Sequence, residues 1–182
     1  SGCSDALNMS ICSLLNEGDN FLIPKPGFAC YETLASRYGF KCKFYNLLPD
    51  KEWQIDVQHL RSLIDKRTKA ILINNPSNPC GSVLTEENLL NVLKVAENYS
   101  IPIVSDEIYD GMVYDDNNGK NKFYSVASLT KKVPILTLSG LSKQYLVPGW
   151  RVGWIVIHDP IGAFIKVRTA LQKLSTLLLG PN

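Results

Sequence analysis

Four polar stretches of the sequence hold side chains suited to acid–base or carbonyl chemistry, and each adjoins an apolar run. Asn74-Asn75-Pro76-Ser77-Asn78-Pro79-Cys80-Gly81 follows Ala70 to Ile73, and Ser105-Asp106-Glu107-Ile108-Tyr109 follows Ile101 to Val104. Ser139-Gly140-Leu141-Ser142-Lys143 follows Pro134 to Leu138, and Arg151 opens a last run at Val152 to Ile157. Ligands of doubly wound sheets gather at the carboxyl ends of the strands, so the four places predict one shared crevice. Lys143 lies among Leu141, Tyr145, Leu146, Val147 and Trp150, which predicts a desolvated amine of lowered pKa. Such an amine attacks carbonyl carbon to form a Schiff base; the other reading is a loop lysine reaching solvent. Asp106 ends a buried run and needs a partner there. A protonated ring nitrogen would serve, as would a turn or a structural arginine. Tyr109 either donates to a phenolate oxygen of the same ring or packs, and Asn78, held between Pro76 and Pro79, either positions its amide or simply turns the chain. Ser1-Gly2-Cys3 precedes a helical pattern whose first amides lack partners, which makes either a phosphate seat or a plain cap. Arg151, with the Ser142 hydroxyl, offers a phosphate dianion its charge and forked donors; alone it reads equally as a solvated arginine.

Elements must bring these residues together. Strand-length apolar runs recur at Asn20 to Ile23, Lys41 to Tyr45, Lys69 to Ile73, Ile101 to Val104, Pro134 to Leu138 and Val152 to Ile157. Between several of them lie helical patterns. The clearest runs from Thr85 to Tyr99, with Thr85 as cap and Leu89, Val92, Leu93, Ala96 and Tyr99 as its apolar stripe. Others are expected over Asp5 to Asn16, closed by Gly18, over Val57 to Ile64 behind an Asp56 cap, and over Pro160 to Leu178. The βαβ rhythm, with runs continuously apolar rather than alternating, predicts an α/β fold: three layers, a mostly parallel sheet, helices on both faces. Asp115 to Lys122 reads as a surface loop.

Composition bounds the partners. The chain has 182 residues, 45% of them hydrophobic and 20% charged, with 12 Gly and 10 Pro, values of a globular protein rather than a disordered or fibrous one. The formal charge of +2 is too small for nonspecific nucleic-acid binding, so a small-molecule partner is expected and no nucleic acid. No apolar run approaches a membrane span, and Ser1 to Asp5 lacks the pattern of a signal peptide, so no membrane partner is expected. Cys3, Cys12, Cys30, Cys42 and Cys80 form no CxxC and read as packing residues of a reducing compartment, with no metal site. The abrupt ends at Ser1-Gly2-Cys3 and Gly180-Pro181-Asn182 are read as those of a fragment.

Taken in order, these residues resemble the fold type I pyridoxal-phosphate aminotransferases. The resemblance rests on Asn75 to Gly81, Ser105 to Tyr109, and Ser142-Lys143 through Pro148-Gly149-Trp150-Arg151-Val152-Gly153-Trp154, and it covers essentially the whole chain. Phe44 to Pro49, Asn74 to Ser82 and Leu146 to Arg151 are most similar to the branch acting on aromatic amino acids. The resemblance implies that residues 1–182 are a partial cofactor-binding large domain, with the N-terminal segment and the small domain outside it. It implies pyridoxal 5'-phosphate as cofactor, Lys143 as Schiff-base lysine and proton carrier, and Asp106 as partner of the pyridinium nitrogen. Tyr109 and Asn78 would hold the phenolate oxygen and Phe28 would stack on the ring, while Gly2, Cys3, Ser142 and Arg151, joined by Ser1, would bind the phosphate. An amino acid, L-tyrosine first, and a 2-oxo acid would be the substrates, and a cytoplasmic homodimer the assembly, with the mitochondrion as the other compartment. Many relatives carry a serine where this chain has Gly140, so one phosphate hydroxyl is either missing or supplied by Ser139. Three readings stand beside this one: an elimination or C–S lyase reaction on the same cofactor, a dinucleotide-binding oxidoreductase, which the lack of GxGxxG opposes, and a noncatalytic fragment.

Overall fold

In the computed structural model, which describes residues 2–114 and 122–179, the apolar runs become strands of one sheet. They are β1 (Asn20–Lys25), β2 (Lys41–Leu48), β3 (Gln54–Ile55), β4 (Thr68–Asn74), β5 (Ile103–Asp106), β6 (Ile135–Gly140) and β7 (Gly153–His158). The order is β3-β2-β1-β4-β5-β6-β7. β2, β1, β4, β5 and β6 run parallel, while β3 and β7 pair antiparallel at the two edges. From β1 the chain crosses to β2 on one side and later to β4 on the other, so the order reverses between β1 and β4. Connections diverge at such a point and leave a crevice beyond the carboxyl ends of the strands.

The helices are α1 (Cys3–Leu14), α2 (Cys30–Arg37), α3 (Val57–Ser62), α4 (Glu86–Tyr99), α5 (Leu141–Gln144) and α6 (Ile165–Leu178). Alternation along the strands divides the core in two. Leu22, Ile71, Ile73, Ile103 and Ile135 face α3 and α4, meeting Leu60, Leu89, Val92 and Leu93. Phe21, Ile23, Ala70, Leu72 and Val104 face the other way, against Leu7, Ile11 and Leu15 of the α1 segment and Tyr31 and Ala35 of α2. α6 extends that second layer, with Met9, Leu136, Phe164 and Leu171 packed together. Burying each such leucine or isoleucine contributes about 2 kcal/mol. The expected three layers and mostly parallel sheet are therefore present.

Local chemistry explains the element ends. The Thr85 hydroxyl accepts from the Asn88 amide and the Asp56 carboxylate from the His59 amide, so both expected caps form. Such a cap contributes about 1 kcal/mol. Several boundaries differ from expectation. α1 begins at Cys3 rather than Asp5 and ends at Leu14, because Leu15 is extended; Gly18, at φ +82°, lies in the turn beyond. α3 stops at Ser62, two residues short of Ile64. α6 starts at Ile165 rather than Pro160, since the Asp159 carboxylate takes the Ala163 and Phe164 amides and Gly162 turns left-handed at φ +72°. α2 and β3 were not expected: α2 buries only Tyr31 and Ala35, too short a stripe to show as periodicity, and β3 has two residues. Of the expected loop from Asp115 to Lys122, residues 115–121 lie outside the described residues, as does Ser1.

Candidate functional site

The four stretches converge where they were expected to. A cavity of about 230 Å³ opens beyond the carboxyl ends of β4, β5 and β6. Asn78 reaches it from the loop after β4, Asp106 and Tyr109 from the end of β5, and Ser142 and Lys143 from α5, which follows β6 directly. Phe28 lines it from the segment after β1, Cys3 from the first turn of α1, and Arg151 from the turn before β7. β7 is antiparallel, so its beginning, rather than its end, lies at this edge of the sheet.

Asp106 is the most constrained residue of the site. It is 6% exposed, and among the described residues its carboxylate meets only neutral donors. Tyr31 Oη donates to Oδ2 at 2.8 Å, the Ile108 amide to Oδ1 at 3.3 Å, and the Cys3 thiol to Oδ1 at 3.9 Å. Burial pushes its pKa up, and those three hydrogen bonds oppose the rise. The Cys3 thiol is itself pushed far up, first by burial and then by the neighbouring carboxylate. The backbone is held just as firmly: the Asp106 carbonyl accepts from the Asn75 amide at 3.1 Å and from Asn74 Nδ2 at 3.2 Å. Asn74 Oδ1 in turn accepts from the Asn78 amide at 2.7 Å, so the end of β4 positions Asn78 and Asp106 together.

The other end of the cavity is built to meet an anion. The amides of Cys3 and Ser4 open α1 and have no intrahelical acceptor. Gly2 caps the helix at φ +75°, and a Cβ there would stand 2.8 Å from Arg151 Nη2, so only glycine lets the guanidinium lie against the helix end. Arg151 also donates from Nη1 to the Pro148 carbonyl at 2.9 Å and adopts φ +52° itself. Glycines likewise bring the backbones together. A Cβ on Gly153 would be 2.5 Å from the Cys3 nitrogen, and one on Gly140 would be 2.6 Å from the Val152 carbonyl oxygen.

Two expectations are corrected here. Lys143 is not wrapped in apolar side chains: Tyr145, Leu146 and Trp150 turn outward at 61%, 79% and 68% exposure, and Lys143 is exposed too. The four-residue α5 is too short to fold them over the amine, whose Nζ instead lies 5.5 Å from the centroid of the Tyr109 ring. Ser139 does not replace the hydroxyl absent at Gly140, because its own Oγ is buried and turned to the Glu107 carbonyl at 3.5 Å. Sequence reasoning also missed Tyr31 and Asn74. Tyr31 sits three residues after Phe28, one helical turn away, and that spacing was the available signal.

Comparison with known proteins agrees with this arrangement. The model of the family "Aminotransferase class I and II" matches residues 1–182. A tyrosine aminotransferase of Dictyostelium discoideum is 50% identical over all of this chain, which spans 43% of that protein's length. Among solved structures, the tyrosine aminotransferase of Leishmania infantum superposes with a TM-score of 0.94 at 37% identity, covering 100% of this chain and 48% of that one. An alanine aminotransferase of Pyrococcus furiosus gives 0.93 at 38% identity, covering 100% and 45%. A match that runs the length of the chain and preserves its fold shows that it belongs to the class I and II aminotransferases.

Proposed function

We propose that the complete protein is a pyridoxal-phosphate-dependent aminotransferase that passes the amino group of an aromatic L-amino acid, L-tyrosine first, to 2-oxoglutarate. The products would be 4-hydroxyphenylpyruvate and L-glutamate. The observation that carries the reading is the cavity itself: a lysine amine, a buried carboxylate met by three neutral donors, and a helix N-terminus backed by arginine share one small space. This donor set fits an aromatic, phosphate-bearing cofactor whose ring nitrogen is protonated. Tyrosine as substrate is supported by the 50% identity to the Dictyostelium discoideum enzyme. Residues 1–182 are read as part of the cofactor-binding large domain, and the complete protein as a homodimer.

When bound, the cofactor supplies an electron sink that stabilises negative charge at the substrate Cα. Each role belongs to a residue already described. Lys143 Nζ accepts the Cα proton and returns it. Asp106 would hold the proton of the ring nitrogen by its negative charge, and Tyr109 and Asn78 would donate to the phenolate oxygen. Phe28, which lines the cavity, would cover one face of the ring. Gly2 and Cys3 through the backbone, with Ser142 and Arg151 through their side chains, would bind the phosphate.

The test uses the complete protein and its Lys143→Ala variant. Mixed with pyridoxal phosphate and reduced with borohydride, the wild type is expected to carry a stable cofactor adduct that peptide mass mapping puts on Lys143. The variant is expected to carry none and to lose at least about 100-fold in turnover. Label on another lysine would overturn the assignment. Release of ammonia or thiol in place of glutamate would replace transamination by elimination.

A further inference from the structure

We propose that Tyr31 is a positioning residue for the cofactor, its phenol holding the Asp106 carboxylate ionised and oriented without neutralising it. The inference deepens the proposed function and rests on its reading of Asp106. Tyr31 is fully buried, and among the described residues it alone donates to Oδ2, while the Ile108 amide and the Cys3 thiol share Oδ1. Both oxygens are thus fixed, and the plane of the carboxylate with them. A lysine or arginine in this place would bond as well but would cancel the charge that a protonated ring nitrogen needs. A phenol supplies the bond and leaves the net charge at −1. Burial and the adjoining carboxylate push the ionisation of Tyr31 well above the usual tyrosine range, so it remains a donor throughout the working pH range. Tyr31 also meets Phe28 edge to face, with centroids 5.7 Å apart, which couples the carboxylate to the aromatic wall of the cavity. The other titratable or charged groups around Asp106 are Cys3 from α1, Cys30 from α2, Tyr109 after β5, Lys143 from α5 and Arg151 before β7. Among the described residues, the hydrogen bonds to the carboxylate come from neutral donors.

The experiment uses the complete holoenzyme loaded with pyridoxal phosphate labelled with nitrogen-15 in the ring. Tyr31→Phe removes one oxygen and keeps the ring. Tyr45→Phe is the control, since Tyr45 is equally buried but donates to the Leu72 carbonyl at 2.8 Å, away from the carboxylate. In Tyr31→Phe the cofactor dissociation constant is expected to rise about tenfold. The ring nitrogen should lose its proton at a pH about one unit lower. Tyr45→Phe should leave both at the wild-type values, and adding Tyr31→Phe to Asp106→Asn should change neither further. A ring-nitrogen titration that is the same in wild type and Tyr31→Phe overturns the inference while leaving the proposed function intact. A wild type that takes no cofactor on Lys143 overturns the proposed function, and the inference with it.

Discussion

Asp106 sits in the fold at a desolvation cost that its three hydrogen bonds offset only in part. Its carboxyl is raised from the ordinary 3.8 by burial, so the native state holds that proton more tightly than the unfolded chain does. Its contribution to stability is therefore complete below pH 3.8 and is lost as the pH rises through the raised value. Asparagine has no such dependence. Without cofactor, the melting temperature of Asp106→Asn relative to wild type should shift in the variant's favour between about pH 4 and about pH 7. Saturating pyridoxal phosphate should then raise the wild type far more than the variant. Thermal melts at the two pH values decide it, and parallel curves would refute the account. At this scale the sequence showed Asp106, Lys143 and Arg151 because each is a charged group beside an apolar run. It did not show Tyr31, because a tyrosine on a short helix looks like packing until its hydroxyl is seen on the carboxylate.

Among elements, the decisive contact is between the first turn of α1 and the start of β7. Gly153 lets the two backbones meet, and a methyl group there would sit 2.5 Å from both the Cys3 nitrogen and the Gly2 carbonyl carbon. Backbone cannot swing aside as a side chain can, so α1 must shift. Gly153→Ala should cost about 1–3 kcal/mol by the urea midpoint and weaken pyridoxal phosphate binding in a fluorescence titration. Gly162→Ala supplies the comparison. At φ +72° with nothing within 4 Å, it should cost about 1 kcal/mol of backbone strain and leave binding unchanged. Equal binding in both variants would show that this close approach does not shape the anion seat. The long helix α4 was plain in the sequence because Leu89, Val92, Leu93, Ala96 and a cap repeat one message, although Tyr99, expected in the same stripe, is 43% exposed. α2 was not, since only two of its residues face the core.

At the scale of the molecule, β7 closes one side of the sheet, and among the described residues no strand pairs with its outer edge. Ile155 and Ile157 pack inward against α1 and α6, while Trp154 and Val156 project at 40% and 53% exposure. An open edge bearing large apolar side chains templates pairing with another chain. The 182-residue chain by itself should therefore associate with rising concentration in sedimentation velocity, and Val156→Lys should suppress it. Association unaffected by that substitution would move the interface elsewhere. Among the described residues no helix is long and apolar enough to cross a membrane.

The sequence alone determined six of the seven strands along the chain, two helix caps and which polar residues stand at strand ends. All of these follow from patterns within about 15 residues. Tertiary structure decided what distant segments do to one another: the reversal between β1 and β4, the glycine contact of α1 with β7, and the Tyr31–Asp106 bond across 75 residues. It also left Lys143 exposed where local composition predicted an apolar shroud. The physical reason is the same throughout: periodicity and capping act over one or two turns, whereas burial and charge pairing depend on which surfaces the sheet brings face to face.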